Sequence, residues 1–444
     1  MARSQAQAGF YTLRSMKIRP MLPSQRKGEG TANFVDITKV VTDWSLNESI
    51  NSPFISGSAI IQESDDLLSK VPLIGEEEIE ISYTDYFGDT QTHIMFIYSI
   101  EDIKPLSSIN DRMVKYTVRF CTKQKLLTDT KEIRRSFSKQ KISDIASILY
   151  NEYFKPHTDK EIEIEETDGE QTLVIPNLYP DAAMQFLSRR AYSSNNKTSL
   201  YRFFETREKY YFCTSEYLTN KYSGFEGLDE ESRNRLFFIY NTVDDNTGTG
   251  QTIAQQSVNK VNYGTKVDTM NDMKLGGYRR AVNELDINYR TRIKRIYDYS
   301  DEYKDYKAPE DLKLTHSQEF VDSFMAEANA PSTTLITDFP QIGMGEGRNN
   351  MLKPYQHFYE NYTTKPIVDY HMNRNAFDIE INGREKLYAG MIINLELIKF
   401  SNTLAGTREI DNERSGKYII MNVGSNFSGD EFKQTLRITK GGLS

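Results

Sequence analysis

The sequence predicts a mainly β protein with α+β insertions: two β-barrel or sandwich domains in one chain, plus a small mixed module. Three observations carry this. The six residues "KYTVRF" at 115–120 return near the C-terminal end as "KQTLRI" at 433–438. Both read Lys, any residue, Thr, aliphatic, Arg, apolar, so each separates an apolar face from a charged one at the two-residue period of a strand. The elements before each copy also match in order. "PLIGEEEIEI" and "FIYSIEDI" precede the first, "LYAGMIINLEL" and "YIIMNVGSNF" the second, with 40 residues from Gly75 to Lys115 and 43 from Gly390 to Lys433. Between the copies the apolar period changes from about two to about 3.6 residues, which marks helices.

A chain of 444 residues exceeds what one core usually fills. The predicted divisions are a first β domain over 15–124, a mixed α+β module and linker over 125–254, and a second β domain over 255–300 plus 361–444. Residues 301–360 form a polar insertion of undetermined fold.

In the first domain, "FVDITKVVTDWSLNESI" and "PFISGSAIIQES" read as strands around the turn-prone Asn51-Ser52-Pro53. "DDLLSKVPLIG" has room for barely two helical turns before Pro72. "EEEIEISYTD", "THIMFIYSIEDI" and "DRMVKYTVRF" follow as strands; in the last, Val114, Tyr116, Val118 and Phe120 share one face. In the module, "SKQKISDIASILYNEYF" is a predicted helix with Ser138 as its cap and Ile142, Ile145, Ile148, Leu149 and Tyr153 along one stripe. "EIEIEETDGEQTLVIPNLYP" is extended, "DAAMQFLSRRAYS" is a second helix with Ala183, Phe186, Leu187 and Ala191 inward, and "LYRFFETREKYYFCTSEYL" is a hairpin across "ETREK".

Residues 244–260 show no apolar period and read as a linker. "YRRAVNELDI" and "RTRIKRIYDYS" then make a hairpin around Asn288-Tyr289, expected to match the hairpin around 49–53 of the first domain. A helix is expected near "SQEFVDSFMAEA", and strands resume from "AFDIEING" to the end.

The formal net charge is −8, the wrong sign for a phosphate-binding surface. Two cysteines, Cys121 and Cys213, sit in apolar strands; they can build neither a disulfide scaffold nor a zinc site, and imply a reducing place of synthesis. No secretory leader or membrane span is expected, so the sequons at Asn196 and Asn361 carry no weight.

No catalytic, cofactor-binding or metal-ligating residue is assigned, and no binding residue can be named. His93, His157, His316, His357 and His371 lack ligand spacing. "GTGQT" at 248–252 lacks the Lys-Ser/Thr ending of a phosphate loop, "GMGEG" at 343–347 lacks dinucleotide spacing, and there is no nucleophile elbow. Carboxylate pairs such as those of "EIEIEETDGE" fit charged strand faces more simply than a glycosidase cleft. Two charged groups stand out: the acidic run Glu76, Glu77, Glu78 and Glu80, a candidate lumen or outer face, and the basic hairpin with Arg279, Arg280, Arg290, Arg292, Lys294 and Arg295, suited to an acidic neighbour.

"WSLNESINSPFISGSAIIQESDDLLSKVPLIGEEEIEISY" resembles the opening domain of the central baseplate hub proteins of contractile-tailed bacteriophages, a tube-domain family related to late-control proteins and type VI secretion spike proteins. "IPNLYPDAAMQFLSRRAYS" with "LYRFFETREKYYFCTSEYL" is similar to the family's next module. "DYHMNRNAFDIEINGREKLYAGMIINLEL" with "SGKYIIMNVGSNFSGDEFKQTLRIT" is similar to its second tube domain. The resemblance covers about two thirds of the chain; 303–354 is unmatched.

The resemblance implies tail-tube-like domains and a structural, non-enzymatic role: a homotrimeric, pseudo-sixfold ring in the virion's tail baseplate, assembled in the host cytoplasm, with no membrane insertion by this chain. Its expected partners are a central spike protein, the tail tube or a tube-initiator protein, and a tape measure protein. DNA would pass without specific binding. Since the sequence stops at Ser444 after the last strand, the spike is expected on a separate chain. The alternatives from other classes are a tail-associated cell-wall glycan hydrolase and a carbohydrate-binding module.

Overall fold

The computed structural model describes residues 9–20, 34–64, 67–70, 73–106, 113–196, 198–222, 237–240, 257–263, 268–286, 291–298, 318–324, 330–337, 362, 364–397, 410–412 and 414–440. Arg290, His316, His357, Asn361, "GTGQT", "GMGEG" and most of the polar insertion lie outside them.

The first domain contains β1 (Thr12–Arg19), β2 (Val35–Asp36), β3 (Val41–Ser49), β4 (Ser56–Glu63), β5 (Glu78–Thr84), β6 (Thr90–Pro105) and β7 (Val114–Cys121), with a single helical turn α1 (Leu67–Lys70). The strand order is β3-β4-β7-β6-β5-β1-β2. Residues 37–40 roll the sheet over: the Ile37 N–H donates to Met16 O on β1 (2.9 Å), and the Gln62 N–H on β4 donates to Val40 O (2.8 Å). Alternation fills the interior. Met16, Ile18, Ile79, Ile81, Tyr116, Val118 and Phe120 are buried, each contributing about 1.5–3 kcal/mol relative to exposure. Gly57 is required here, since a Cβ would stand 2.4 Å from both the Phe120 ring and Ser45 O.

The middle module holds α2 (Lys123–Thr128), β8 (Ile133–Gln140), α3 (Ile142–Leu149), β9 (Ile162–Ile164), β10 (Gln171–Leu178), α4 (Pro180–Ser188), β11 (Tyr201–Glu205), β12 (Tyr210–Thr214) and α5 (Ser215–Tyr222). β8 pairs with β10, and β11, β12 and β9 form a three-stranded sheet. The predicted helical stripe is real: Ile142, Ile145 and Leu149 are buried. Ser138 is not its cap. It lies within β8, and the helix starts from Lys141 in extended conformation; the alternation of Ile133 and Phe137 against β10 claims those residues first.

The remainder comprises β13 (Phe237–Tyr240), β14 (Ser257–Asn262), α6 (Thr269–Leu275), β15 (Arg279–Asp286), β16 (Thr291–Asp298), α7 (Gln318–Phe324), β17 (Ser332–Thr337), α8 (Thr364–Arg374), β18 (Phe377–Asn382), β19 (Ile392–Glu396), β20 (Gly416–Ser428) and β21 (Glu431–Thr439). Pairings run β19-β13-β14-β18-β21-β20 and return from β20 to β19, closing a six-stranded barrel. Closure removes the free edges an open sheet would leave.

The two barrels are copies of one design, visible residue by residue. The paired repeats are β7 and β21. In β4–β7, Ile61 faces Tyr116; in β18–β21, Ile381 faces Gln434, the same place in the six-residue motif. The preceding strands are β3 and β14, and each carries an irregularity at the same point, between Val41 and Asp43 and between Val258 and Lys260. The long strands β6 and β20 are both interrupted after the equivalent residues Ile97 and Ile420. Gly75 and Gly390, ahead of β5 and β19, both adopt positive φ, 87° and 90°, which glycine does without strain. One position differs in direction: β1 runs antiparallel to β5, whereas β13 runs parallel to β19.

Three expectations change. The basic hairpin is not the counterpart of β3–β4; β15 and β16 pair with β17 in a separate three-stranded sheet, and the true counterparts, β14 and β18, are split by that whole excursion. Residues 257–260, read as linker, belong to β14, because its irregularity breaks the alternation by which a strand is recognised. Likewise Phe237–Tyr240, assigned to the middle module, pairs with β14 and β19.

Candidate functional site: the junction of the two barrels

The barrels join edge to edge within the chain. β3 and β20 run antiparallel from Ser49↔Asn422 to Asp43↔Ser428, making one continuous 13-stranded sheet. The ladder exists because β19 covers only the first part of β20, up to Ile419, leaving the part beyond free to pair. Side chains lock it. Trp44 of β3, the only tryptophan, stacks on Phe427 of β20 with centroids 3.7 Å apart, and Phe427 stacks on Phe432 at 4.2 Å. Tyr11 and Tyr83 approach Phe427 edge-on, each at 4.9 Å. The second barrel's Phe427 and Phe432 therefore complete the first barrel's core.

The middle module fastens the same junction through the "ETREK" tip of the β11–β12 hairpin. Arg207 is buried and reaches both barrels. Its Nε donates to Glu48 Oε1 on β3 (2.6 Å) and its main-chain N–H to Glu48 Oε2 (3.1 Å). Its Nη1 donates to Glu385 Oε1 (2.9 Å) and its Nη2 to Leu387 O, both on the connection between β18 and β19. Tyr83 OH donates to the other Glu385 oxygen. Two residues earlier, Glu205 accepts from the Ile55 N–H (3.1 Å), Thr122 Oγ1 (2.8 Å) and Lys160 Nζ (2.7 Å), tying the hairpin to the first barrel and its own module.

Burial governs the electrostatics. Desolvation raises the carboxyl pKa of both Glu48 and Glu385, opposed chiefly by Arg207. Burial works against Arg207's own charge, yet Glu385 and Glu48 hold it protonated above its ordinary value. His93, 3.8 Å from Glu385, is pushed down to about 3 by burial and by the positive Arg207 and Lys160, so it is neutral at physiological pH. The arrangement is a closed ion cluster. Its cation is fully engaged, and what it fixes is the placement of three folded units.

Apart from His93, the groups singled out in the sequence stand outside this ion cluster. The Glu77 carboxylate turns inward and accepts the N–H groups of Ile74 (2.7 Å), Gly75 (3.0 Å) and Glu76 (3.2 Å), so it shapes the turn into β5. Glu78 faces Arg19 at 3.9 Å, and Glu80 stands opposite Lys17. In the basic hairpin Arg279 pairs with Asp298 (2.5 Å) and Asp322 (3.4 Å). His371 is buried with Nε2 at 2.7 Å from Gly277 O. Cys121 and Cys213 are buried free thiols; burial pushes Cys121 up to about 12. Glu48, Arg207 and Glu385 belong to no motif that sets them apart in the sequence. The available signal was an arginine at the tip of a hairpin whose strands are otherwise aromatic.

No family model matches this chain, and no curated protein sequence does. Solved structures do match across its whole length. It is similar to a tail protein from Neisseria meningitidis, 11% identical with a TM-score of 0.54 over 98% of this chain and 98% of that one. It is also similar to the 43 kDa tail protein of prophage MuSo2 from Shewanella oneidensis, 7% identical with a TM-score of 0.51 over 96% and 99%. At these identities the likeness is one of fold: the chain has the mainly β, two-barrel fold of phage tail proteins.

Proposed function

We propose that this chain is the structural hub of a contractile-tail baseplate. Three copies close into a ring of near-sixfold appearance that joins the tail tube, or its initiator, to a central spike protein, with the tape measure protein as a further partner. DNA passes through the bore without binding, its repulsion from an acidic wall matching the net charge of −8. The role is structural rather than catalytic, and the protein resides in the virion tail after assembly in the host cytoplasm.

The single observation that supports this most is the β3–β20 ladder between like barrels. Register equivalence maps β3 onto β14 and β20 onto β6. The same contact repeated between chains would place β14 of one subunit against the part of β6 beyond Phe96, where its pairing with β5 ends. That contact is heterologous, and such contacts generate rings when the rotation closes. Tyr98, Ile103, Leu106 and Met113, on or beside this part of the β6–β7 hairpin, are large apolar side chains exposed by 41–57%, as a surface awaiting a partner requires. The ladder would be short: Asp102 at φ 55° and Pro105 interrupt it.

Light scattering tests the reading. The purified chain, alone or co-expressed with its spike protein, should have the mass of a trimer, and the double variant Tyr98→Asp, Ile103→Asp should be a folded monomer. A wild-type monomer at micromolar concentration under both conditions sinks the proposal.

A further inference from the structure

A cavity of about 670 Å³ lies between α4 of the middle module and α8, away from the barrel junction. Its walls are of two kinds. Leu178, Phe186, Tyr362 and Pro366 give an apolar lining, and Arg189, Arg190 and Lys365 bring three cations to it. Among the described residues, none of these three cations forms an ion pair with a carboxylate. Arg189 is exposed; its main-chain N–H donates to Gln185 O (3.1 Å) at the end of α4, and its guanidinium makes no hydrogen bond or ion pair among the described residues. Arg190 lies over the Phe186 ring, its guanidinium carbon 3.5 Å from the centroid, and donates Nη1–H only to Phe186 O (3.3 Å). Lys365 donates to two main-chain oxygens, Tyr201 O at 2.9 Å and Ser188 O at 3.2 Å. The one carboxylate on the wall among the described residues, Asp369, is engaged by Arg202. Glu216 is the other acid felt by Lys365; it is fully buried and outside the lining.

Among the described residues, three cations thus face one partly apolar cavity whose single carboxylate is already paired with Arg202. Cations gathered this way repel one another unless an anion arrives, and the burial that lowers the pKa of both Lys365 and Arg190 works in the same direction. Guanidinium groups bind carboxylate in a two-pronged geometry, and the aromatic and aliphatic walls accept an apolar group beside it.

We propose that this cavity is a docking site for a peptide segment of a partner protein that presents a carboxylate next to an aromatic or aliphatic side chain. The site needs nothing from ring closure, so it stands or falls separately from the function proposed above.

The full-length protein is titrated by calorimetry with the peptide N-acetyl-Leu-Glu-Phe-Glu-amide, with its Gln counterpart, and with inorganic phosphate. The Glu peptide should bind saturably, and the Gln peptide about tenfold more weakly or not at all. Arg189→Gln, at an exposed position that leaves folding intact, should weaken the Glu peptide by about tenfold. Lys365→Met should do the same, with an unchanged circular dichroism spectrum as its control. Absence of saturable binding, equal binding of both peptides, equal binding by wild type and Arg189→Gln, or phosphate binding as tightly as the Glu peptide would each overturn the assignment.

Discussion

Replacing Arg207 by methionine tests how the ion cluster holds the barrels together. The substitution keeps much of the volume and removes the charge, leaving Glu48 and Glu385 buried with 2% and 4% of their surface exposed. A carboxylate stranded in this way protonates rather than stay charged. At pH 7, protonating a group of ordinary pKa 4.5 costs about 1.4 kcal/mol for each of roughly 2.5 pH units, or about 3.4 kcal/mol. Both carboxyls are already raised by burial in the native protein, so the two together cost less than twice that. The expected loss is about 3–5 kcal/mol, the range found when one partner of a buried pair is removed.

The sign of the pH dependence follows. An acid whose folded pKa lies above its unfolded value binds more protons folded, so stability falls as pH rises through that interval and is regained on acidification. The Arg207→Met deficit should therefore shrink markedly between pH 7 and pH 5. Urea unfolding followed by the fluorescence of Trp44, which sits in the junction itself, reads the effect where it acts. Adding Glu48→Gln and Glu385→Gln should recover part of the loss, since removing every charge of a buried cluster is far less costly than removing one. A deficit below about 1 kcal/mol at pH 7, or one that is the same at pH 5, would refute the reasoning.

Three further outcomes are expected. Phe427→Ala empties the space between Trp44 and Phe432, so it should cost about 3–5 kcal/mol and shift Trp44 emission to the red. Gly383→Ala places a Cβ 2.1 Å from the Phe432 ring; overpacking of this kind costs about 1–3 kcal/mol and should lower the urea midpoint. Glu216, fully buried, is pushed up from 4.5 to about 7 by desolvation. Its contribution to stability should fall by about 3 kcal/mol as pH rises from 4.5 to 7, and differential scanning at several pH values should show the stability of Glu216→Gln changing with pH by that much less than the wild type's.

Much of the architecture was legible because it is written locally. The alternation of Tyr116, Val118 and Phe120, and of their equivalents in 433–438, identified both repeats, and the glycines ahead of β5 and β19 marked where each run of strands begins. The aromatic hairpin around "ETREK" was equally plain. What misled was local disguise. The irregularity between Val258 and Lys260 removed the alternation from β14, so a strand was read as linker. The regular hairpin β15–β16 was put in its place, since a good local pattern says nothing about which sheet it joins.

The sequence by itself determined that two similar barrels form, because side-chain period and turn chemistry depend on neighbours a few residues apart. Only the tertiary structure decided that β3 pairs with β20, since a backbone ladder is made of N–H and C=O groups that every residue carries, and which edge meets which depends on where β19 stops. It alone brought Glu48, Arg207 and Glu385 together. Their distances along the chain are bridged by the placement of three folded units, and a buried charge finds its partner in space rather than in sequence.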